Sequence, residues 1–378
     1  MIWRFLFAVP ALVAGCYYLL ALAAALRRKV RPQAEVAGSY PGVSILKPIY
    51  GWDDRLPAAI ASHARQHYPQ FELLLGVRVD DTRALAEIRR SQQAFPGCAI
   101  RIVNVTTAMP NGKAGSLHDL AAAAFYPVLV INDADICVEP DYLRQVTEPL
   151  RDSRVGLVTA LYRATAASLP ARFEALGVTT EFAPSVLVAR LFGVAEFALG
   201  STMAVRAEDL GRIGGFRAIG DYLADDYQLG AQITRLGLHV AFADTVVETT
   251  LGAGSWGEVW KHQLRWSRTI RVSRPSGYYG YGVTQATFWA CVAAAAGYGS
   301  IALGVLAVRL AAGMAAAVVL KDRAALARWW MIPFRDVFGF AVWVTAAFGK
   351  TVEWRGLRLR LTPDGRIHPV ESHAPLDN

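Results

Sequence analysis

Several acidic and basic residues in this chain are spaced for handling a metal ion or a diphosphate. In "INDADICV", Asp133 and Asp135 stand two apart in an extended run, so both carboxylates lie on one face. Two hard oxygen ligands with room for water suit Mg2+ or Mn2+, with diphosphate oxygens completing the shell. In "YLADDYQLG", Asp225 and Asp226 are adjacent. Neighbours diverge by about 100° on a helix and by half a turn on a strand, so one can act while the other caps the helix or holds the loop. Asp80 and Asp81 follow the apolar run "FELLLGVRV". They can cap a helix beginning near Thr82 or accept hydrogen bonds from the base or ribose of a nucleotide. Lys113, in "MPNGKAGSL", precedes a helix in a glycine-containing loop and could meet a diphosphate; a solvated loop lysine is the alternative. Ala114 follows it, which excludes a Walker A loop. "KHQLRWSRTIRVSR" puts Arg265, Arg268, Arg271 and Trp266 on a basic amphipathic helix suited to a membrane surface. In that helix Arg265 could face a departing phosphate and Trp266 could wall a site. His63 and His67 have i,i+4 spacing but no third ligand nearby, and read as an exposed helix face.

These residues need a scaffold that gathers them. The short β-rich runs "VSILKPI", "FELLLGVRV", "AIRIVNV" and "YPVLVIND" alternate with helical-length segments near 54–67, 82–94 and 114–125. Such alternation predicts a mainly parallel α/β sheet whose ligands sit beyond the C-terminal strand ends. Two of the runs end in acid, at Asp80-Asp81 and at Asp133-Ala134-Asp135.

The 378 residues are 54% hydrophobic, and the mean hydropathy of +0.28 points to a membrane. The net charge of +8 comes from arginines beside apolar stretches rather than in an aromatic-lined groove, favouring a bilayer over nucleic acid. Residues 2–26 form an apolar run of spanning length followed by "RRKVRP", which predicts an uncleaved anchor with its C-terminal flank in the cytoplasm. Residues 283–320 predict a membrane hairpin. Residues 329–349 contain an Arg335-Asp336 ion pair and predict an interfacial or protein-buried helix. The expected organisation is an anchor over 1–30, a catalytic domain over 40–275, a membrane region over 276–350 and a basic cytoplasmic tail over 351–378 with a hairpin at "PDG". Cys16, Cys98, Cys137 and Cys291 are scattered, which gives no disulfide framework or zinc ribbon and fits a reducing compartment.

Taken in order, "LKPIYG", "HYPQFELLLGV", "DAD", "ADDYQLG" and "RW" resemble the membrane-bound glycosyltransferases of the ceramide glucosyltransferase family, family 21. The likeness is strongest to its bacterial branch, which includes the hopanoid glycosyltransferases. It runs from "VSILKPIYG" to "HQLRWSRTIR" and more weakly through "RDVFGFAVWV" and "VEWRG". The resemblance implies a Rossmann-like GT-A fold with flanking membrane helices. It implies that Asp81, with Asp80 beside it, contacts the nucleotide, and that Lys113 contacts the donor. It further implies that Asp133 and Asp135 hold Mg2+ or Mn2+, that Asp226 is the catalytic base, and that Arg265 and Trp266 belong to an R-W motif. His262 opens that motif where the family has Arg or Gln, and Ala183 precedes Pro184 where animal ceramide enzymes have His.

The activity implied is transfer of one sugar, glucose or N-acetylglucosamine, from a UDP-sugar to the hydroxyl of a ceramide-like or hopanoid membrane lipid. One base and one displacement imply inversion to a β-glycoside. The setting implied is the cytoplasmic face of a bacterial inner membrane, with no nucleic acid and no obligatory protein partner. Two other readings compete. One is a processive polysaccharide synthase, which shares the aspartates and the R-W motif. The other is a non-catalytic scaffold or lipid-binding protein with a decayed transferase domain.

Overall fold

The chain builds its sheet from the apolar runs singled out above. In the computed structural model, which describes residues 5–28, 40–194 and 196–370, four strands run parallel: β1 (Val43–Pro48), β2 (Phe71–Val77), β3 (Ala99–Asn104) and β4 (Val128–Ile131). Three more complete a seven-stranded sheet in the order β3-β2-β1-β4-β6-β5-β7: β5 (Val155–Ala166), β6 (Met203–Arg206) and β7 (His239–Leu251). β6 is antiparallel to both β4 and β5. β1, β2 and β4 are buried almost throughout, as expected of parallel strands covered on both faces. The helices Leu56–Ala64 and Thr82–Ala94 cover one side, and Gly112–Ala123 and Asp225–Arg235 the other.

Beyond the sheet stands a helical layer. Val9–Arg27 and Gly299–Val319 are long and apolar enough to cross a membrane. They lie side by side and parallel: Phe5 meets Tyr298 at one end, while Ala24, Ala25 and Leu320 pack together on Leu161 and Phe242 of the sheet at the other. Their seam is lined by small residues, Ala8, Ala11, Ala14 and Ala21 against Ala302 and Ala312, which lets backbones approach closely. Arg28 closes the first helix on the carbonyls of Ala243, Asp244 and Thr245. The rest of the "RRKVRP" run, from residue 29 on, lies outside the described residues.

The expected hairpin over 283–320 is present with unequal arms. Ala286–Ala295 turns at Gly297 into Gly299–Val319. Ten residues of helix rise about 15 Å, half a hydrocarbon core, so the first arm is not a full crossing. The third apolar segment, Ile332–Ala346, buries the face that carries Arg335 and Asp336 and exposes Phe334, Val337 and Val344, and Arg335 and Asp336 do not pair with each other. Adjacent helical positions point apart, and each finds a distant partner. Arg335 takes Glu181 at 3.1 Å and Gln263 at 2.7 Å, and Asp336 takes Arg309 at 2.6 and 3.0 Å and Thr287 at 2.6 Å.

After these helices comes a small antiparallel sheet of β8 (Thr351–Trp354), β9 (Leu357–Leu361) and β10 (Ile367–Pro369). The "PDG" hairpin joins β9 to β10, with Gly365 at φ +86. This sheet docks on the loop ahead of Asp225. Ile367 donates to the Asp221 carbonyl at 2.8 Å, and Leu223 packs with Val352, Leu359, Leu361 and Ile367. Residues 371–378 lie outside the described residues.

Candidate active site

β4 ends at Ile131, and the chain then turns through "NDAD". Lys47, fully buried at the end of β1, fixes this turn by donating from Nζ to the carbonyls of Asp133 (2.9 Å) and Ile136 (3.2 Å). Burial lowers its pKa to about 8, against the pull of Asp135, Cys137 and Asp133. Asn132 is gripped from behind by Tyr142, Ser201 and His63. The turn is therefore rigid, and Asp133 stays 42% exposed at its crest.

Asp135 is held from β7, where Thr249 Oγ1 and the Thr250 amide donate to its Oδ2 at 2.5 and 2.8 Å. Burial pushes its carboxyl above the usual range in spite of those two donors. Among the described residues its second oxygen has no donor.

Lys113 gathers the cluster. Asn111 caps the Gly112–Ala123 helix by accepting from the Lys113 and Ala114 amides. The lysine Nζ reaches Asp133 at 2.8 Å and Asp225 at 3.2 Å, with its side chain 9% exposed. Burial opposes its charge, but Asp133 and Asp225 outweigh burial and hold its pKa above the ordinary lysine value.

Asp225 and Asp226 open the Asp225–Arg235 helix, whose positive N-terminal end favours acid there. They separate as adjacent helical residues must. Asp225 is buried against Lys113 and does not cap its helix. Asp226 is half-buried, and its Oδ2 accepts from the Gly200 amide at 2.9 Å. A Cβ at Gly200 would come within 3.3 Å of that oxygen and 3.4 Å of Lys113 Nζ, so glycine keeps this approach open. Burial, reinforced by Asp225 and relieved in part by Lys113, pushes the Asp226 carboxyl up to about 6.

The R-W helix, Trp256–Ser273, starts with a Ser255/Glu258 capping box and runs between Glu174 and the strand β8. Trp266 packs on the apolar group of Ala164, Ala175 and Val178. The His262 ring lies tilted over Trp266 at 4.5 Å and donates from Nδ1 to Glu174 Oε1 at 2.6 Å, where Gln263 also donates at 2.8 Å. Arg265 has its pKa lowered to about 10 by burial, eased by Glu174 and opposed further by Arg355.

Of the residues expected from sequence, Asp133, Asp225, Asp226 and Lys113 converge, with Asp135 behind the same turn and Arg265, Trp266 and His262 along one wall. Asp80 and Asp81 stand apart at the end of β2. Asp81 caps the next helix by accepting from the Ala84 amide at 3.1 Å, and exposed Asp80 pairs with Arg78 at 3.3 Å. His63 corrects the exposed-face expectation. It is fully buried, its ring nitrogens engage Ala59 and Asn132, and burial lowers its pKa to about 3. Lys47, Glu174 and Arg355 border the cluster or its flanking helix without having been singled out as site residues. Lys47 carried a local signal as a lysine inside the apolar run "VSILKPI", and Arg355 lay within "VEWRG".

The model of Glycosyl transferase family 21 matches residues 6–367 of this chain. The chain belongs to that family. Ceramide glucosyltransferase 1 of Caenorhabditis elegans is 28% identical over 221 residues, covering 58% of this chain and 46% of the relative. Ceramide glucosyltransferase 3 of the same organism is 27% identical over 233 residues, covering 60% and 50%. The chain thus spans about half the length of the curated relatives it matches. Among solved structures, a mannosyltransferase from Pyrobaculum calidifontis in complex with GDP-Man and Mn2+ aligns over 90% of this chain and 99% of its own, with a TM-score of 0.54 at 20% identity. The seven-stranded domain of this family 21 member is a GT-A fold.

Proposed function

We propose that this protein is an inverting glycosyltransferase that moves one sugar from a UDP-sugar to the hydroxyl of a membrane lipid, ceramide-like or hopanoid. The observation that carries the reading is the cluster around Lys113 at the end of β4, where its Nζ pairs with Asp133 and Asp225 and borders Gly200 together with the Asp226 carboxylate. In it, cation, acidic turn and candidate base lie within one side chain's reach. The ceramide glucosyltransferases among its relatives support a lipid acceptor, as do the two span-length helices that end on the catalytic sheet.

In this mechanism the acceptor oxygen attacks the anomeric carbon as the bond from that carbon to the diphosphate oxygen breaks. Asp226 takes the acceptor proton, for which a carboxylate of raised pKa is better suited than an ordinary one. Lys113 and Arg265 stabilise the negative charge that collects on the leaving nucleoside diphosphate. Trp266 walls the sugar side, and Asp81 with Asp80 would contact the nucleotide at the end of β2. The free oxygen of Asp135 and the exposed carboxylate of Asp133 fit Mg2+ or Mn2+. Among the described residues no group of three or more His, Cys, Asp or Glu could hold a metal alone, so diphosphate and water would supply its remaining ligands. When bound, such an ion would act as a Lewis acid toward the diphosphate.

The lipid would approach along 168–200 and the Trp256–Ser273 helix, at the cytoplasmic face of a bacterial inner membrane. Among the described residues, two span-length helices are too few to enclose a polymer channel, which favours single transfer over a processive synthase. The test incubates the purified full chain in detergent with UDP-glucose, UDP-N-acetylglucosamine or GDP-mannose, each with ceramide or a hopanoid alcohol, and analyses products by mass spectrometry. One hexose on a lipid with a UDP donor, lost on chelation and restored by Mn2+, is the expected result. A polymer, a requirement for GDP-mannose, or no transfer from any donor overturns the proposal.

A further inference from the structure

Two guanidinium groups at the mouth of the site stand without a carboxylate partner among the described residues. Arg355 occupies the turn between β8 and β9 at φ +51, followed by Gly356 at φ +77. Its guanidinium lies 4.5 Å from the Tyr50 ring centroid and 5.0 Å from that of Trp354, and it has no hydrogen bond or ion pair among the described residues. The side chain of Arg265, on the facing helix, also lacks both. Burial lowers the pKa of each arginine; Arg355 disfavours the charge on Arg265, and Asp133 favours the charge on both. Arg265 lines a small cavity with Thr351, Val352 and Glu353 of β8, the strand that leads into Arg355, and Tyr50 under Arg355 follows β1, whose end pairs with the end of β4 ahead of the acidic turn.

Half-buried like charges are costly to hold together unless a ligand supplies the opposite charge. A planar guanidinium whose faces rest on aromatic rings presents its edge, and that edge matches phosphate oxygens in a two-pronged fashion. Tyr50 follows β1 and Trp354 belongs to β8, so the guanidinium is fixed between the nucleotide-binding half of the sheet and the C-terminal sheet.

We propose that Arg355 binds the diphosphate of the sugar donor, forming with Arg265 a two-arginine clamp over the Asp133 turn. The C-terminal sheet thereby completes the donor site, held in place by its pairing with the 221–223 loop. The inference rests on the nucleotide-sugar reading above and adds to it a residue from beyond the R-W motif and the apolar helices that follow it.

The test measures UDP, GDP and UMP binding to the full chain in detergent with Mn2+, by isothermal titration calorimetry. Arg355→Asn tolerates the positive φ and removes the cation. It should weaken the preferred diphosphate about tenfold or more, as expected for loss of a charged hydrogen bond. It should also narrow the preference for diphosphate over UMP by a similar factor, a ratio that the folded fraction does not alter. Arg355→Lys should recover part of both. Unchanged diphosphate binding in Arg355→Asn, with loss in Arg265→Asn, overturns the clamp and leaves the transferase reading intact. Equal loss of diphosphate and UMP assigns Arg355 a structural role and also overturns it. Wild-type protein that binds neither UDP nor GDP overturns both.

Discussion

If Asp226 is the base, its environment sets both the pH dependence of transfer and a cost in stability. The ordinary carboxyl value of 3.8 rises to about 6 in the folded chain, through burial and Asp225 against the pull of Lys113. Turnover at saturating substrate needs the ionised form, so it should fall about tenfold between pH 7 and pH 5. The sign for stability is the reverse. Between the unfolded and folded values the native state binds more protons, so stability is lost as pH rises from about 4 to about 6. The cost above that window is on the order of 2–3 kcal/mol. Asp226→Asn keeps an oxygen for the Gly200 amide, gives up the acceptor of the Tyr227 amide at a smaller cost of about 1 kcal/mol, and removes the charge. It should therefore lose at least about a hundredfold in turnover, within the range for general base catalysis, while melting a few degrees higher at pH 7. Product formation by mass spectrometry across pH 5–8, with thermal unfolding in the same detergent, measures both. A flat pH profile in the wild type, or turnover in Asp226→Asn near the wild-type level, refutes the assignment. Lower stability in the variant refutes the electrostatic account.

Lys47→Met leaves the Ile136 carbonyl without a donor and the Asp133 carbonyl with the Ile136 amide alone. It should cost about 1–3 kcal/mol of stability and weaken donor binding, seen by calorimetry with UDP and Mn2+. A Cβ on Gly230 would lie 2.9 Å from the backbone of Phe197 and Ala198. Gly230→Ala should shift the helix that carries Asp226 away from Gly200, and steady-state kinetics should show a larger fall in kcat than change in donor KM. Arg309→Met strands Asp336 in an apolar surround, and its expected cost is about 3–5 kcal/mol. Melting in detergent should show most of that loss recovered when Asp336→Leu is added, because the pair then leaves together.

Much of the catalytic frame was legible in the sequence because it depends on short-range pattern. Apolar runs of strand length alternating with helical segments dictated the β1–β4 sheet. Strand ends rich in acid marked the side on which chemistry collects, and the motif order from "LKPIYG" to "RW" agrees with the family match. Asp133 of "DAD" and Asp225 of "ADDYQLG" both reach Lys113. The end of β4 is equally local, since the apolar run "VLVI" stops at Ile131 and gives way to Asn132 and Asp133.

What periodicity leaves undetermined is the partner of each polar group. His63 and His67 share a spacing, yet one is sealed against Asn132 and the other lies exposed beside Asp141. Arg335 and Asp336 are neighbours in sequence and bond to residues on different helices. The different surroundings of Asp225 and Asp226 follow from Lys113 and Gly200, which belong to other segments of the chain. Arg355 reaches the site only because β8–β10 returns from beyond the membrane-type helices to dock on the 221–223 loop. The sequence alone determined which segments become strands, helices and acidic turns, because those depend on neighbours a few residues away. The tertiary structure decided which charges face one another, because desolvation and Coulomb interactions act through space between segments that the chain order keeps far apart.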